Sequence, residues 1–221
     1  MKRTFLFSVL AALVAVPAAA QSGQAASSGQ SERPSIGFYG MFDYTSIASP
    51  KSFDAVFGSH TTTAPGLGVD AINIWKHFFV RIDGSRSTLS GERVVIFNDE
   101  VFKLGIPLEA ELTPIEFGGG WRFSSKNPQV RFAPYVGISA ITLKYKETSS
   151  FAESGENVAE VYNGVGVFGG VDVRVASKIF AGAEAQYRSI NSKPGPDSAA
   201  ASFNEKNLGG MVLRVRLGVR F

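Results

Sequence analysis

The side chains of this 221-residue sequence that could do chemistry fall into two groups. The first is small. It holds two histidines, His60 and His77, and no cysteine. His60 stands between Ser59 and Thr61 in a stretch rich in Ser, Thr and Pro. A histidine beside a serine, oriented by a carboxylate, is the arrangement that strips a hydroxyl proton and makes a nucleophile. His77 follows Trp75-Lys76 in a short turn. Neither has a partner at a recognisable spacing, so no catalytic residue is assigned. Phe117-Gly-Gly-Gly120 is not a phosphate cradle, because no Lys-Ser/Thr pair follows it. No spacing of ligands suggests a metal, and no cofactor is expected.

The second group is larger and ionic. Arginines alternate with apolar residues at the end of the chain: Arg214, Arg216 and Arg220 stand between Leu213, Val215, Leu217, Val219 and Phe221. Glu116 and Arg122, Asp172 and Arg174, and Glu184 and Arg188 occupy similar alternating segments, as do Asp43, Asp70, Arg81, Asp83 and Arg131. Carboxylates and guanidiniums brought into one narrow, water-poor space must pair. This gives a candidate lumen charge network of Glu116, Arg122, Asp172, Arg174, Glu184, Arg188, Arg214 and Arg216. It would act either as a structural plug, the preferred reading, or as a gated polar channel.

Strands must position such a network, because a period of two separates one face from the other. Eight alternating segments follow residue 35: Ile36–Tyr44, Gly66–Trp75, Phe78–Thr88, Leu108–Phe123, Val130–Glu147, Glu160–Val175, Ile179–Ile190 and Met211–Phe221. Two have a broken phase. Ile72 and Ile74 share parity with Asp70, and Leu108, Ala110 and Leu112 share parity with Glu116, which predicts a bulge or kink at Thr113-Pro114. The apolar piece Val94–Phe97 in the Leu89–Pro107 connection is expected to extend the wall as a hairpin. Connections alternate long and short, with turns at Lys76-His77, Ser124–Gln129 and Ala176–Lys178 and a long acidic loop near Glu156. Long extracellular loops and short periplasmic turns are the pattern of outer-membrane barrels.

Which face looks inward follows from magnitudes. An arginine facing lipid near the bilayer midplane costs about 2–4 kcal/mol, so in a membrane barrel the arginines point inward. In a soluble barrel they would instead meet water. The N-terminus favours the membrane. Lys2 and Arg3, the apolar run Phe5–Val16 and Ala18-Ala19-Ala20 read as a signal peptide over residues 1–20, cleaved near Ala20. Residues 21–34 read as a flexible periplasmic spacer. The apolar run is too short to cross a bilayer as a helix, and without cysteine the chain is neither a lipoprotein nor disulfide-stapled. Removing Lys2 and Arg3 from 22 basic residues leaves 20 against 19 acidic, so nothing points to nucleic acid. Twenty-four glycines, about 11% against a usual level of roughly 7%, and 18 phenylalanines suit an all-β membrane domain.

With Ala133-Pro-Tyr-Val-Gly137, Asn207-Leu-Gly-Gly210 and the closing alternating strand ending in Phe221, residues 35–221 resemble the small outer-membrane β-barrel proteins, the OmpA-like and OmpX-like barrels. The resemblance implies an all-β, eight-stranded antiparallel transmembrane β-barrel in the outer membrane of a Gram-negative bacterium. It implies that Leu217, Val219 and Phe221 form the signal read by the barrel-assembly machinery. No peptidoglycan-binding domain follows, so an anchoring role is not expected. The resulting expectation is a non-enzymatic scaffold in contact with outer-membrane lipid, displaying four loops to an unknown extracellular ligand. A small-solute or lipid channel is the alternative, and a lipid-modifying enzyme is a third.

Overall fold

The computed structural model describes residues 34–97, 100–123, 131–149, 151, 157–194 and 199–221. The expected signal segment, the spacer up to residue 33, the turn Ser124–Gln129 and Glu156 lie outside the described residues. Nine strands are present among the described residues: β1 (Ser35–Ile47), β2 (Thr61–Trp75), β3 (Phe78–Ser85), β4 (Ser87–Phe97), β5 (Glu100–Arg122), β6 (Phe132–Thr148), β7 (Val158–Arg174), β8 (Ile179–Ile190) and β9 (Gly210–Arg220). All neighbours pair antiparallel. The ladder runs β3-β2-β1-β9-β8-β7-β6-β5-β4, and an added β3–β5 pairing closes it into a ring.

The closure has a measurable stagger. Stepping between register partners from Ile36 passes through Ala71, Val80, Gly119, Ile138, Val167, Tyr187 and Met211. It returns to β1 at Ser46, ten residues above the start. A ring with that shear must tilt its strands by about 40° to the barrel axis. Each residue then climbs about 2.5 Å, so the outward apolar positions of β9, from Met211 to Phe221, cover about 25 Å. That is the height of the lipid-facing band of such barrels. Leu67, Phe117, Ile138, Val165 and Leu217 on this wall are 62–75% exposed.

β3 and β4 behave as one strand. Phe79, Arg81, Asp83, Ser85, Ser87 and Leu89 all point inward and are buried, in unbroken alternation. The ring therefore has eight walls, as the sequence predicts. Between them the ladder with β5 lapses at Ser85 and Arg86: the Arg86 N–H bonds the Pro65 carbonyl, and Pro114, opposite Ser85, has no N–H to give. The bulge expected at Thr113-Pro114 is absent. Register with β6 runs straight through, from Leu112↔Tyr145 to Ile115↔Thr142.

What changes there is polarity, not phase. Below Pro114 the inward residues of β5 are Glu116, Gly118, Gly120 and Arg122, and the outward ones include Ile115, Phe117 and Trp121. Above it, Ala110 and Leu112 are buried inside while Glu109 and Glu111 face out. β6 inverts at the same level. Tyr135 and Ser139 inside give way to Ile141, Leu143 and Tyr145, and Val136 and Ile138 outside give way to Lys144 and Lys146. At the other irregular site a true bulge does form: β2 shifts register between Ile72 and Trp75, with Asn73 at φ 58°. It keeps Ile72 inside and turns Ile74 out.

The connection after β1 holds a helix that the sequence analysis does not anticipate, α1 (Pro50–Phe57). Pro50 opens it, and Gly58 closes it in the left-handed region at φ 72°. Glu205, from the connection before β9, accepts bonds from the backbone N–H groups of Lys51 and Ser52 at 3.1 and 2.8 Å and from the Ser52 hydroxyl at 2.6 Å. A distant carboxylate thus satisfies the free N–H groups of the helix. α1 lies against β4 and drives Phe53 into an apolar cluster with Ile47, Leu89, Leu112, Leu143 and Ile190. α2 (Ala199–Ser202) is a single turn in the connection that carries Glu205.

The wall assignment has a direct check. Ile138→Arg puts a charge in mid-band and is expected to lower the unfolding free energy in lipid vesicles by about 2–4 kcal/mol. Asn163→Arg, above the band, is expected to cost about 0–1 kcal/mol. Equal urea midpoints for the two variants would show that the outer wall does not face lipid.

Candidate functional site

The slice of the lumen level with the apolar wall is filled by charge. Asp43, Asp70, Asp83, Glu116, Asp172 and Glu184 are buried there with Arg81, Arg122, Arg188, Arg214 and Arg216, and Arg220 joins them partly buried. The carboxylates and guanidiniums balance, so the interior carries no net charge into the bilayer.

The network is tied together from the short-turn end upward. Asp172 accepts from Arg122, from Arg216 at 2.7 and 3.1 Å, and from Arg220 at 3.4 Å. Arg220 also reaches Asp70 at 2.8 Å. One layer higher, Glu184 binds Arg81 through both oxygens and accepts from the Tyr135 hydroxyl at 2.9 Å. Asp83 meets Arg81 at 3.2 Å and Arg214 at 3.0 Å, and accepts from the Tyr39 hydroxyl at 3.2 Å. In the uppermost layer Asp43 holds Arg214 bidentately at 2.7 and 3.0 Å and takes Arg188 at 3.2 Å. Glu116 takes Arg188 at 2.5 Å and the Gln186 amide at 2.6 Å. Arg214 is the hub, within 3.5 Å of Asp43, Asp83, Glu116 and Glu184.

Aromatic rings fill the space between the ions. Arg81 stacks on Phe168 at 3.8 Å and Arg216 on Tyr135 at 4.7 Å, while Arg220 covers Phe180 at 4.1 Å. The two tyrosines need flat neighbours. Gly68 lies under the Tyr39 ring and Gly170 under Tyr135, and a Cβ at either position would overlap the ring.

The network is interleaved with apolar side chains below and covered by them above. Ile72, Phe79, Tyr135 and Phe168 pack together among the lower ions. Above the ions the Ile141, Leu143 and Leu112 layer lies under Phe53 of α1. Where ions meet that layer, a cavity of about 20 Å³ is lined by Ser85, Ser87, Thr45 and Arg188 on one side and Leu112, Leu143 and Ile190 on the other. It is large enough for one water molecule and too small for a solute. At the top, Tyr145 and Tyr162 donate to Glu147 and Glu160. Burial first and then these carboxylates push both hydroxyls above the ordinary tyrosine range, so they remain donors at neutral pH.

No protein-family model matches the sequence, and no curated protein does. Solved structures do. Ail, the attachment invasion locus protein of Yersinia pestis, solved with the heparin analogue sucrose octasulfate, superposes with a TM-score of 0.50 at 11% identity, over 85% of this chain and 97% of that one. Neisserial surface protein A aligns at 13% identity over 85% and 95%, with a TM-score of 0.48. The N-terminal β-barrel domain of OprF from Pseudomonas aeruginosa gives 13%, 85%, 97% and 0.43. The chain has the fold of the small outer-membrane β-barrels.

Within this barrel, seven of the eight residues named from sequence for the network meet inside: Glu116, Arg122, Asp172, Glu184, Arg188, Arg214 and Arg216. Arg174 does not. It stands exposed at the end of β7, past the last inward layer, because the strand runs out at the rim. Arg131 is likewise exposed just before β6. Tyr39, Tyr135 and Gln186 complete the network as donors. Their parity with the charged residues was the available signal. Leu217, Val219 and Phe221 face outward, and Phe221 exchanges backbone bonds with Ile36 at 3.1 and 2.9 Å.

The histidines sit apart from the lumen ions. His60 Nδ1 lies 2.9 Å from Asp54 of α1, which gives an imidazole oriented by a carboxylate. The Ser59 hydroxyl is engaged with Thr61, at 2.9 Å to its hydroxyl and 3.0 Å from its N–H. His77 packs against the Trp121 ring at 5.6 Å. Among the described residues no cluster of three or more His, Asp or Glu side chains is placed to hold a metal ion.

Asp172 compensates three arginines. Its replacement by Asn is expected to destabilise the barrel by about 3–5 kcal/mol, the usual cost of leaving buried charge unpaired. Glu109→Gln, on the exposed outer face above the band, is expected to change stability by about 0–1 kcal/mol. Matched unfolding midpoints would mean that the lumen is solvated.

Proposed function

We propose that the chain is an outer-membrane scaffold whose lumen is a plug, and that its work is done by the part projecting beyond the membrane. The observation that carries this reading is Arg214, which four carboxylates hold in mid-lumen beneath an apolar layer and α1. A solute would have to break several ion pairs and displace Phe53 to pass. Catalysis is disfavoured by the same geometry that brings His60 to Asp54, since the adjacent Ser59 is turned to Thr61.

The projecting part is a platform. α1, the connection bearing Glu205 and the β4–β5 hairpin rise above the inversion level. The hairpin carries Val95, Phe97, Val101, Phe102 and Leu104, each 41–66% exposed. Apolar surface held above a membrane in water marks a protein-binding site. The extracellular ligand is therefore taken to be a protein.

Two measurements test this. In planar bilayers the refolded protein is expected to give no stable conductance steps, while removal of residues 50–57 together with Arg214→Ala opens a path. Steps from the unaltered protein would replace the plug with a channel. The chain has no cysteine of its own, so single replacements report orientation cleanly. Gly58→Cys is expected to react with a membrane-impermeant maleimide on intact cells, and Ser177→Cys only after lysis. Reversed labelling would invert the assignment.

A further inference from the structure

The two rims of the barrel differ in charge. At the end where α1 sits, acids and bases are mixed: Arg86 pairs with Glu111 at 2.5 Å, and Glu109, Lys144 and Lys146 share that level. At the short-turn end every charged side chain outside the lumen is basic among the described residues. Lys76 occupies the β2–β3 turn, Arg131 precedes β6, Arg174 ends β7, and Lys178 lies in the β7–β8 turn. All four are exposed. The carboxylates at this level, Asp70 and Asp172, face inward and are bound by Arg122, Arg216 and Arg220.

These cations are coupled to aromatic rings at the edge of the lipid band. Lys76 Nζ lies 5.7 Å from the Trp75 ring, and Lys178 Nζ lies 5.0 Å from the Phe221 ring. Arg131 and Arg174 are brought side by side by an Arg174 N–H bond to the Arg131 carbonyl at 2.9 Å. Trp75 and Phe221 are 69% and 66% exposed. A ring of cations backed by exposed aromatics, continuous with an apolar wall, stands where lipid headgroups lie. Its charge selects among those headgroups.

We infer that the short-turn rim binds the anionic headgroups of phospholipids in the adjoining leaflet, in preference to zwitterionic ones. The aromatic rings sit at the glycerol level, and the four cations reach the phosphates and their anionic neighbours. This rests on the membrane-spanning reading of the barrel but not on which way the barrel points. The partner is a lipid because the basic groups form a ring just below the apolar wall, not a patch on a soluble face.

The test uses the full chain refolded into nanodiscs of phosphatidylethanolamine and phosphatidylglycerol, with bound lipid counted by native mass spectrometry. The expected preference for phosphatidylglycerol is about five-fold per site, the factor for one further basic contact at a membrane surface. It should fall to near unity in the variant Lys76→Gln, Arg131→Gln, Arg174→Gln, Lys178→Gln. A pair at the opposite rim, Lys144→Gln with Lys146→Gln, should leave it unchanged. If the four-fold variant does not fold, Lys178→Gln alone, checked by the heat-dependent gel shift of an intact barrel, is expected to lower the preference partially. No preference in the unaltered protein overturns the inference. So does a preference that survives the four changes, or one lost equally in the Lys144 and Lys146 pair. Binding of soluble polyglutamate without lipid preference would also overturn it and assign the rim to an acidic protein. In each of these failures an intact gel shift leaves the scaffold reading standing.

Discussion

Lipid offers no hydrogen bonds, and everything in this molecule follows from that. A strand in the hydrocarbon layer must give all its backbone N–H and C=O groups to other strands, so the sheet has to close on itself. Closure is achieved where β9 meets β1, from Gly37↔Arg220 to Ile47↔Gly210, and is finished by the Phe221–Ile36 exchange. Once eight strands close with this stagger, the interior is just wide enough for side chains. The alternation of the strands then leaves no choice: apolar residues go out to the lipid, and polar ones come in. The ion network is the result of that geometry, and its balance of carboxylates and guanidiniums is the condition for tolerating it.

The same reasoning explains why the interior changes character at Pro114. Where the wall leaves the lipid, the outer surface meets water and takes Glu111, Lys144 and Lys146. The inner surface is then free to be apolar, and Leu112, Ile141, Leu143 and Phe53 make an ordinary hydrophobic core. One set of continuous strands thus passes from a membrane protein to a soluble one without a break in register. The boundary between them is the place where a water-sized cavity remains, since neither ionic nor apolar side chains fill it completely.

Much of this was legible in the sequence. Period-two alternation located eight walls, and Ile179–Ile190 was placed to the residue, because a strand with two unlike faces announces its phase. The network was legible for the same reason: Glu116, Glu184 and Arg214 share the inward parity. What failed did so for physical causes. Leu108, Ala110 and Leu112 looked out of phase because alternation was read against a single outside solvent, while the strand crosses two. Parity alone points Arg174 inward, although parity has no meaning where the lumen ends. α1 leaves little trace in the sequence because eight residues with one buried face give little periodic signal. The pair Pro50 and Gly58 was the cue that marks its ends.

The clasp of Glu205 on α1 joins parts of the chain that lie 153 and 154 residues apart. The surface around α1 is therefore composite. An antibody raised against α1 would recognise a shape that exists only while the segment before β9 is in place, and a linear peptide of residues 50–57 would not reproduce it. A change at Ser52 that alters the helix start also strands Glu205, so the two segments are expected to vary together.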